Sequence, residues 1–176
     1  MGKTFNERDR VTFKNVLPWD VSFSKILMPG EVTVEAYKDY KQLTFAEVEE
    51  QINAGNIGFL GTDGYGNHAA FQFDDLDVYN ALFQREETKL PDYINEEKVR
   101  TILKISNKDK MKKAVEDALQ TKSDKKYFMH IIDRMDADDV RQYTGWKISL
   151  LEEMFECTFD NYHGVKNVNW RGRFGQ

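Results

Sequence analysis

The sequence predicts an α+β protein: a β-rich N-terminal part with one capped helix and a hairpin, a helical C-terminal part, and an extended C-terminal arm. Three observations carry this. Short apolar runs broken by Pro18 and Pro29-Gly30 dominate the beginning of the chain, apolar stripes at helical spacing fill residues 99–135, and residues 161–176 show no period. The parts divide at residues 1–91, 92–158 and 159–176, with Pro91 near the first boundary.

In order, Val11, Phe13, Val16 and Leu17, then Val21, Phe23 and Ile26, then Val32 and Val34 read as short strands. Proline cannot donate to a ladder, so Leu17-Pro18-Trp19 belongs at a strand edge or corner, with Trp19 free to cover the core. Glu35 to Gln42 reads as a loop or the end of a strand. Thr44 with Glu47 three residues on predicts a capping box, and Phe45, Val48 and Ile52 then recur at helical spacing until Gly55 closes the helix. Ile57 to Thr62 and His68 to Phe73 read as two strands of a hairpin, joined by Asp63-Gly64-Tyr65-Gly66-Asn67.

Beyond the hairpin, Asn95 is placed to cap a helix carrying Val99, Ile102 and Leu103. Ser106 or Asn107 is placed to cap one carrying Met111, Ala114, Val115, Ala118 and Leu119, and Ser123 one carrying Tyr127, Phe128, Ile131, Ile132 and Met135. A short helix from Asp138 ends at Gly145, and Ile148 to Phe155 gives the last apolar face. Asn161 to Gln176, rich in Gly and Asn with Trp170 and Phe174 as isolated aromatics, reads as the arm.

At 176 residues the chain can bury a core without staples, and its single cysteine, Cys157, cannot form an internal disulfide. No apolar run approaches the roughly 18 residues of a membrane span, and the first ten residues are polar, so a cytoplasmic protein without a membrane partner is expected. The net charge of −5 conceals blocks of alternating sign. Residues 43–98 hold twelve acids and three bases, residues 99–135 ten bases and five acids, residues 136–160 seven acids and two bases, and the arm Lys166, Arg171 and Arg173 with no acid. Such blocks pair within a molecule or between copies of it.

No motif carries catalysis. A calcium loop from Asp75 would put Tyr79 at its fifth position and Asn80 where glycine is required. Neither cysteine pairs nor His-x-x-x-His spacing point to zinc, and no Gly-x-Ser-x-Gly elbow is present. Gly61 to Gly66 lacks a Walker lysine and leads towards a strand. Cys157 reads as a small hydrophobe beside a helix, and His68, His130 and His163 lie on separate elements. No cofactor or metal is expected.

The leading expectation is a non-enzymatic structural or assembly protein whose partners are other proteins or copies of itself, for instance in a viral or phage virion, which would place it in the host cytoplasm and the particle. An arm this rich in glycine gains order from a neighbour. Its docking residues would be Trp170, Arg171, Arg173 and Phe174, with Tyr65 and Asn67 at the hairpin tip. A second reading takes Lys104, Lys108, Lys112, Lys113, Lys122, Lys125 and Lys126 as a nucleic-acid face joined by the basic arm, although a solvated helix face accounts for the same lysines. The third, an enzyme using Asp63, His68 and the acids after the hairpin, has the least behind it.

Overall fold

The computed structural model describes residues 3–135 and 145–159. The chain forms two compact units that divide between Tyr93 and Ile94. The first holds small antiparallel sheets and the second is helical, so the fold is α+β.

In the first unit, β1 (Phe13–Asn15) is the centre of a three-stranded sheet, flanked by β4 (Asp39–Tyr40) and β5 (Phe71–Gln72). Both pairings are antiparallel, with Phe13 opposite Tyr40 and Asn15 opposite Phe71. A separate hairpin joins β2 (Val21–Ser24) to β3 (Glu31–Val34), with Val21 opposite Val34 and Phe23 opposite Val32. On this hairpin Val32 and Val34 face the core while Ser22 and Thr33 pair through their hydroxyls at 2.7 Å on the outer face, the alternation a half-buried sheet requires.

The core is aromatic. Phe13 is fully buried, with the rings of Phe59 and Phe71 edge-on at 5.0 and 5.1 Å, and Phe23 meets the same two rings at 5.6 and 5.5 Å. Asn15, also fully buried, donates its amide to the carbonyls of Trp19, Val34 and Glu35 and accepts from Leu17 N–H at 3.0 Å. One polar side chain thus ties β1 to the Pro18 corner and the end of β3, and leaves none of its own groups orphaned. Pro18 is buried at that corner and Trp19 half-buried.

Helix α1 (Phe45–Asn53) starts as expected at Thr44, whose hydroxyl accepts from Glu47 N–H, and ends before Gly55 at φ +85°. The reciprocal half of the capping box is missing because the Glu47 carboxylate is engaged elsewhere. The hairpin expected over residues 57–73 does not form. Ile57–Leu60 is a single helical turn, α2, capped by Asn56, and β5 pairs with β1 instead of with its neighbour in sequence. The run Ile57-Gly58-Phe59-Leu60 is short enough to suit either period, and the cap decides it. Helix α3 (Leu76–Phe83) follows, capped by Asp75.

The second unit contains α4 (Glu96–Leu103), α5 (Lys108–Ala118), α6 (Lys122–Arg134) and α7 (Gly145–Phe155). Asn95 and Asn107 cap the first two as read from the sequence. The third cap is Thr121, two residues ahead of Ser123, because Asp124 completes a capping box by accepting from Thr121 N–H at 2.9 Å. Tyr127, Phe128, Ile131, Ile132 and Met135 are all buried, and the Phe128 ring meets Phe155 edge-on at 5.5 Å. Lys147 of α7 is buried and donates to the carbonyl of Leu103 at 2.5 Å, satisfying an acceptor that the end of α4 leaves open. The short helix expected from Asp138 and the arm lie outside the described residues.

Candidate functional site

The turn between β2 and β3 carries the feature that composition does not announce. Ile26, Leu27 and Met28 are consecutive, large and apolar, yet 46%, 53% and 61% exposed. Burial of such side chains is worth about 1.5–3 kcal/mol each, so three left together at one tip form a surface with something to gain from a partner. Lys25 N–H closes the turn on Gly30 C=O at 2.9 Å.

The tip is held from below by α1. The Glu47 carboxylate, buried beneath it, accepts from Ile26 N–H at 2.7 Å and from Leu27 N–H at 2.9 Å. Gln51, one turn along the same face, donates to Glu47 at 3.0 Å and to Ser24 C=O at 2.8 Å, and accepts from the Asn56 side chain at 2.8 Å. Asn56 in turn caps α2, whose first residue, Ile57, is 80% exposed. A continuous chain of hydrogen bonds therefore runs from the backbone of the apolar tip to the cap beside a fourth exposed apolar side chain. Burial pushes the Glu47 carboxyl up, but the N–H of Ile26, the Gln51 amide, the N–H of Leu27 and the nearby Lys25 charge outweigh it and hold it below its ordinary value. The clamp is an anion.

A second organised loop spans residues 61–68, between α2 and β5. Asp63 accepts from Tyr65 N–H at 2.9 Å, from Asn67 N–H at 3.2 Å and from the Asn67 amide. Burial raises the Asp63 carboxyl and these donors, Tyr65 N–H foremost, lower it further than burial raises it. Tyr65, 44% exposed, lies under the Arg85 guanidinium at 4.3 Å, and Arg85 pairs with Glu87. Asn67 accepts from Asp92 N–H at 2.9 Å. Of the two docking residues expected here, Tyr65 is exposed but carries Arg85 over its ring, while Asn67 is engaged in closing the loop.

The Asp63 carboxylate is engaged by three donors of its own loop, and Asp75 caps α3. An open cleft of about 600 Å³ beside α3 sets Lys3 and Arg85 against Asp77, Glu86 and Glu87. Among the described residues no three His, Cys, Asp or Glu side chains are grouped to hold a metal ion, and no helix is long and apolar enough to cross a membrane. Lys104, Lys108, Lys112, Lys113, Lys122 and Lys126 are exposed, and Lys125, half-buried, sits 5.8 Å from the centre of the Phe155 ring. Cys157 is half-buried. Trp170, Arg171, Arg173 and Phe174 lie outside the described residues.

Sequence reasoning missed the apolar tip. Its signal was the run Ile26-Leu27-Met28 directly before Pro29-Gly30, three apolar residues where a turn ordinarily carries polar ones. No family model, curated protein or solved structure matches the chain.

Proposed function

We propose that this chain is a non-enzymatic assembly protein, a subunit that joins a larger complex through rigidly presented apolar side chains on its first unit and through its C-terminal arm. The observation that carries the reading is the Ile26-Leu27-Met28 tip on its Glu47 clamp. A loop with no partner to meet gains nothing from three adjacent exposed apolar side chains, and one whose backbone is pre-ordered loses less entropy on docking. A virion is one setting for such a subunit.

The test is the native size of the full chain in extracts of the cells that make it. The reading expects a particle well above the 20.6 kDa of one chain, and a return towards that mass when residues 161–176 are deleted or Leu27→Asp is introduced. A full-length chain sedimenting as a free monomer in the extract would overturn it. The exposed lysines of α5 and α6 support a second reading, nucleic-acid binding. It expects retention on a polyanion column that falls steeply with salt as counterions are released, and fails if the chain flows through at low salt.

A further inference from the structure

Resting on the assembly reading, we infer that the apolar tip of one chain receives the C-terminal arm of a second copy, in a reciprocal two-fold exchange. Charge favours this pairing. Residues 1–93 carry sixteen acids against nine bases, while residues 161–176 carry Lys166, Arg171 and Arg173 and no acid. Beside the tip the acids are Glu31, the first residue of β3 and exposed, and Glu47 itself, with Lys25 as a base. An anionic lipid surface is repelled by such surroundings, whereas a basic apolar peptide is drawn to them.

The contacting side chains suit each other as well. Ile26, Leu27, Met28 and Ile57 offer aliphatic and thioether surface, and the arm supplies Val168 and Trp170 between its bases with Val165 and Phe174 on either side of them. Aromatic rings against methionine and branched aliphatic side chains make up the buried centre of interfaces, with arginine at their rim. Length permits it too, since sixteen residues drawn out fully would span about 50 Å, the upper bound on how far such a segment could reach. Exchange of identical segments about a two-fold axis closes the assembly at two chains.

The test uses the full chain, purified, with mass followed by light scattering across a concentration series. The wild type is expected to pass from the 20.6 kDa of one chain towards the mass of two as concentration rises, with the transition displaced to higher concentration by salt. Leu27→Asp at the tip and Trp170→Ala with Phe174→Ala in the arm should each weaken association at least about tenfold. The conservative Leu27→Met should leave it intact, and unchanged circular dichroism identifies variants that still fold. Mixing the tip variant with the arm variant should recover part of the association, because each mixed pair keeps one of the two tip–arm contacts intact. A wild type that stays at one-chain mass throughout overturns the proposal, and so does a mixture that fails to recover, the result expected if the arm folds onto its own chain. A purified monomer whose native particle in extracts is nonetheless large overturns the exchange and leaves the assembly reading standing.

Discussion

The turn at residues 25–30 and the loop at residues 61–68 are each organised by one carboxylate, and they differ in where that carboxylate comes from. Asp63 lies inside the loop it closes and bonds N–H groups two and four residues ahead. Glu47 lies on a helix and bonds N–H groups twenty and twenty-one residues behind it. The local arrangement is a turn that the segment can make by itself. The distant one exists only when α1 has docked, so the apolar tip acquires its shape from the tertiary fold. The loop presents one aromatic ring already covered by Arg85; the tip presents three exposed apolar side chains. Rigidity imposed from outside therefore accompanies the surface with more to gain by binding.

Substitutions break this comparison in a graded way. The largest effect is expected in the loop's backbone. Gly61 has φ +64° and ψ −148°, and a Cβ there would stand 2.0 Å from the Asn67 carbonyl oxygen, so Gly61→Ala combines a strained conformation with a clash and should cost about 4 kcal/mol in chemical denaturation. Gly55→Ala, at φ +85° with open space around the added methyl, should cost only about 1 kcal/mol in the same measurement.

Next comes the clamp. Glu47→Ala strands two backbone N–H groups and leaves the Gln51 amide only its bond to Ser24 C=O, at about 3 kcal/mol, and hydrogen exchange should accelerate at Ile26 and Leu27 ahead of the rest of the unit. Equal exchange rates at these amides in wild type and variant would show that α1 does not hold the tip. Asp63→Ala removes bonds from an exposed loop that water can replace, and about 1 kcal/mol is expected, with exchange faster at Tyr65 and Asn67 only.

Acid titrates both carboxylates and gives the mildest perturbation. Each has a folded-state pKa below its ordinary value, so its contribution is complete above the ordinary carboxylate range and is lost as pH falls through the lowered value. Stability should be level near neutral pH and decline only in acid, with the wild-type decline shallower in Glu47→Gln, which has no carboxylate to protonate. A Glu47→Gln profile that overlays the wild type would remove the clamp from the acid response.

The same contrast explains what could be read in the chain before its fold was seen. Caps and stripes are local, so Asn95, Asn107 and the Tyr127 to Met135 face were legible, and Thr121 displaced Ser123 only because Asp124 reaches back to it. Strand partners are not local. Nothing near Phe71 says that it lies opposite Asn15, and a four-residue apolar run beside glycines suited a hairpin strand as well as the helical turn that Asn56 caps. Thr44 and Glu47 matched a capping box in spacing, and the helix does start there. The glutamate's real partners, on a turn far back in the chain, had no signature in the sequence around it.

Asn15 has a consequence for how the molecule ages. Deamidation of an asparagine begins when the next residue's backbone nitrogen attacks the side-chain carbonyl carbon, and here that nitrogen, on Val16, donates to Ala70 C=O at 3.0 Å while the amide is gripped by three carbonyls. In the native fold both reacting groups are held in other hydrogen bonds, which opposes the attack. Once the carboxylate has formed, those same three carbonyls would face negative charge and the corner could not re-form. The attack expels ammonia and water opens the resulting ring, so aspartate and isoaspartate accumulating at position 15 in a stored sample would be a chemical clock that runs chiefly during excursions from the native state.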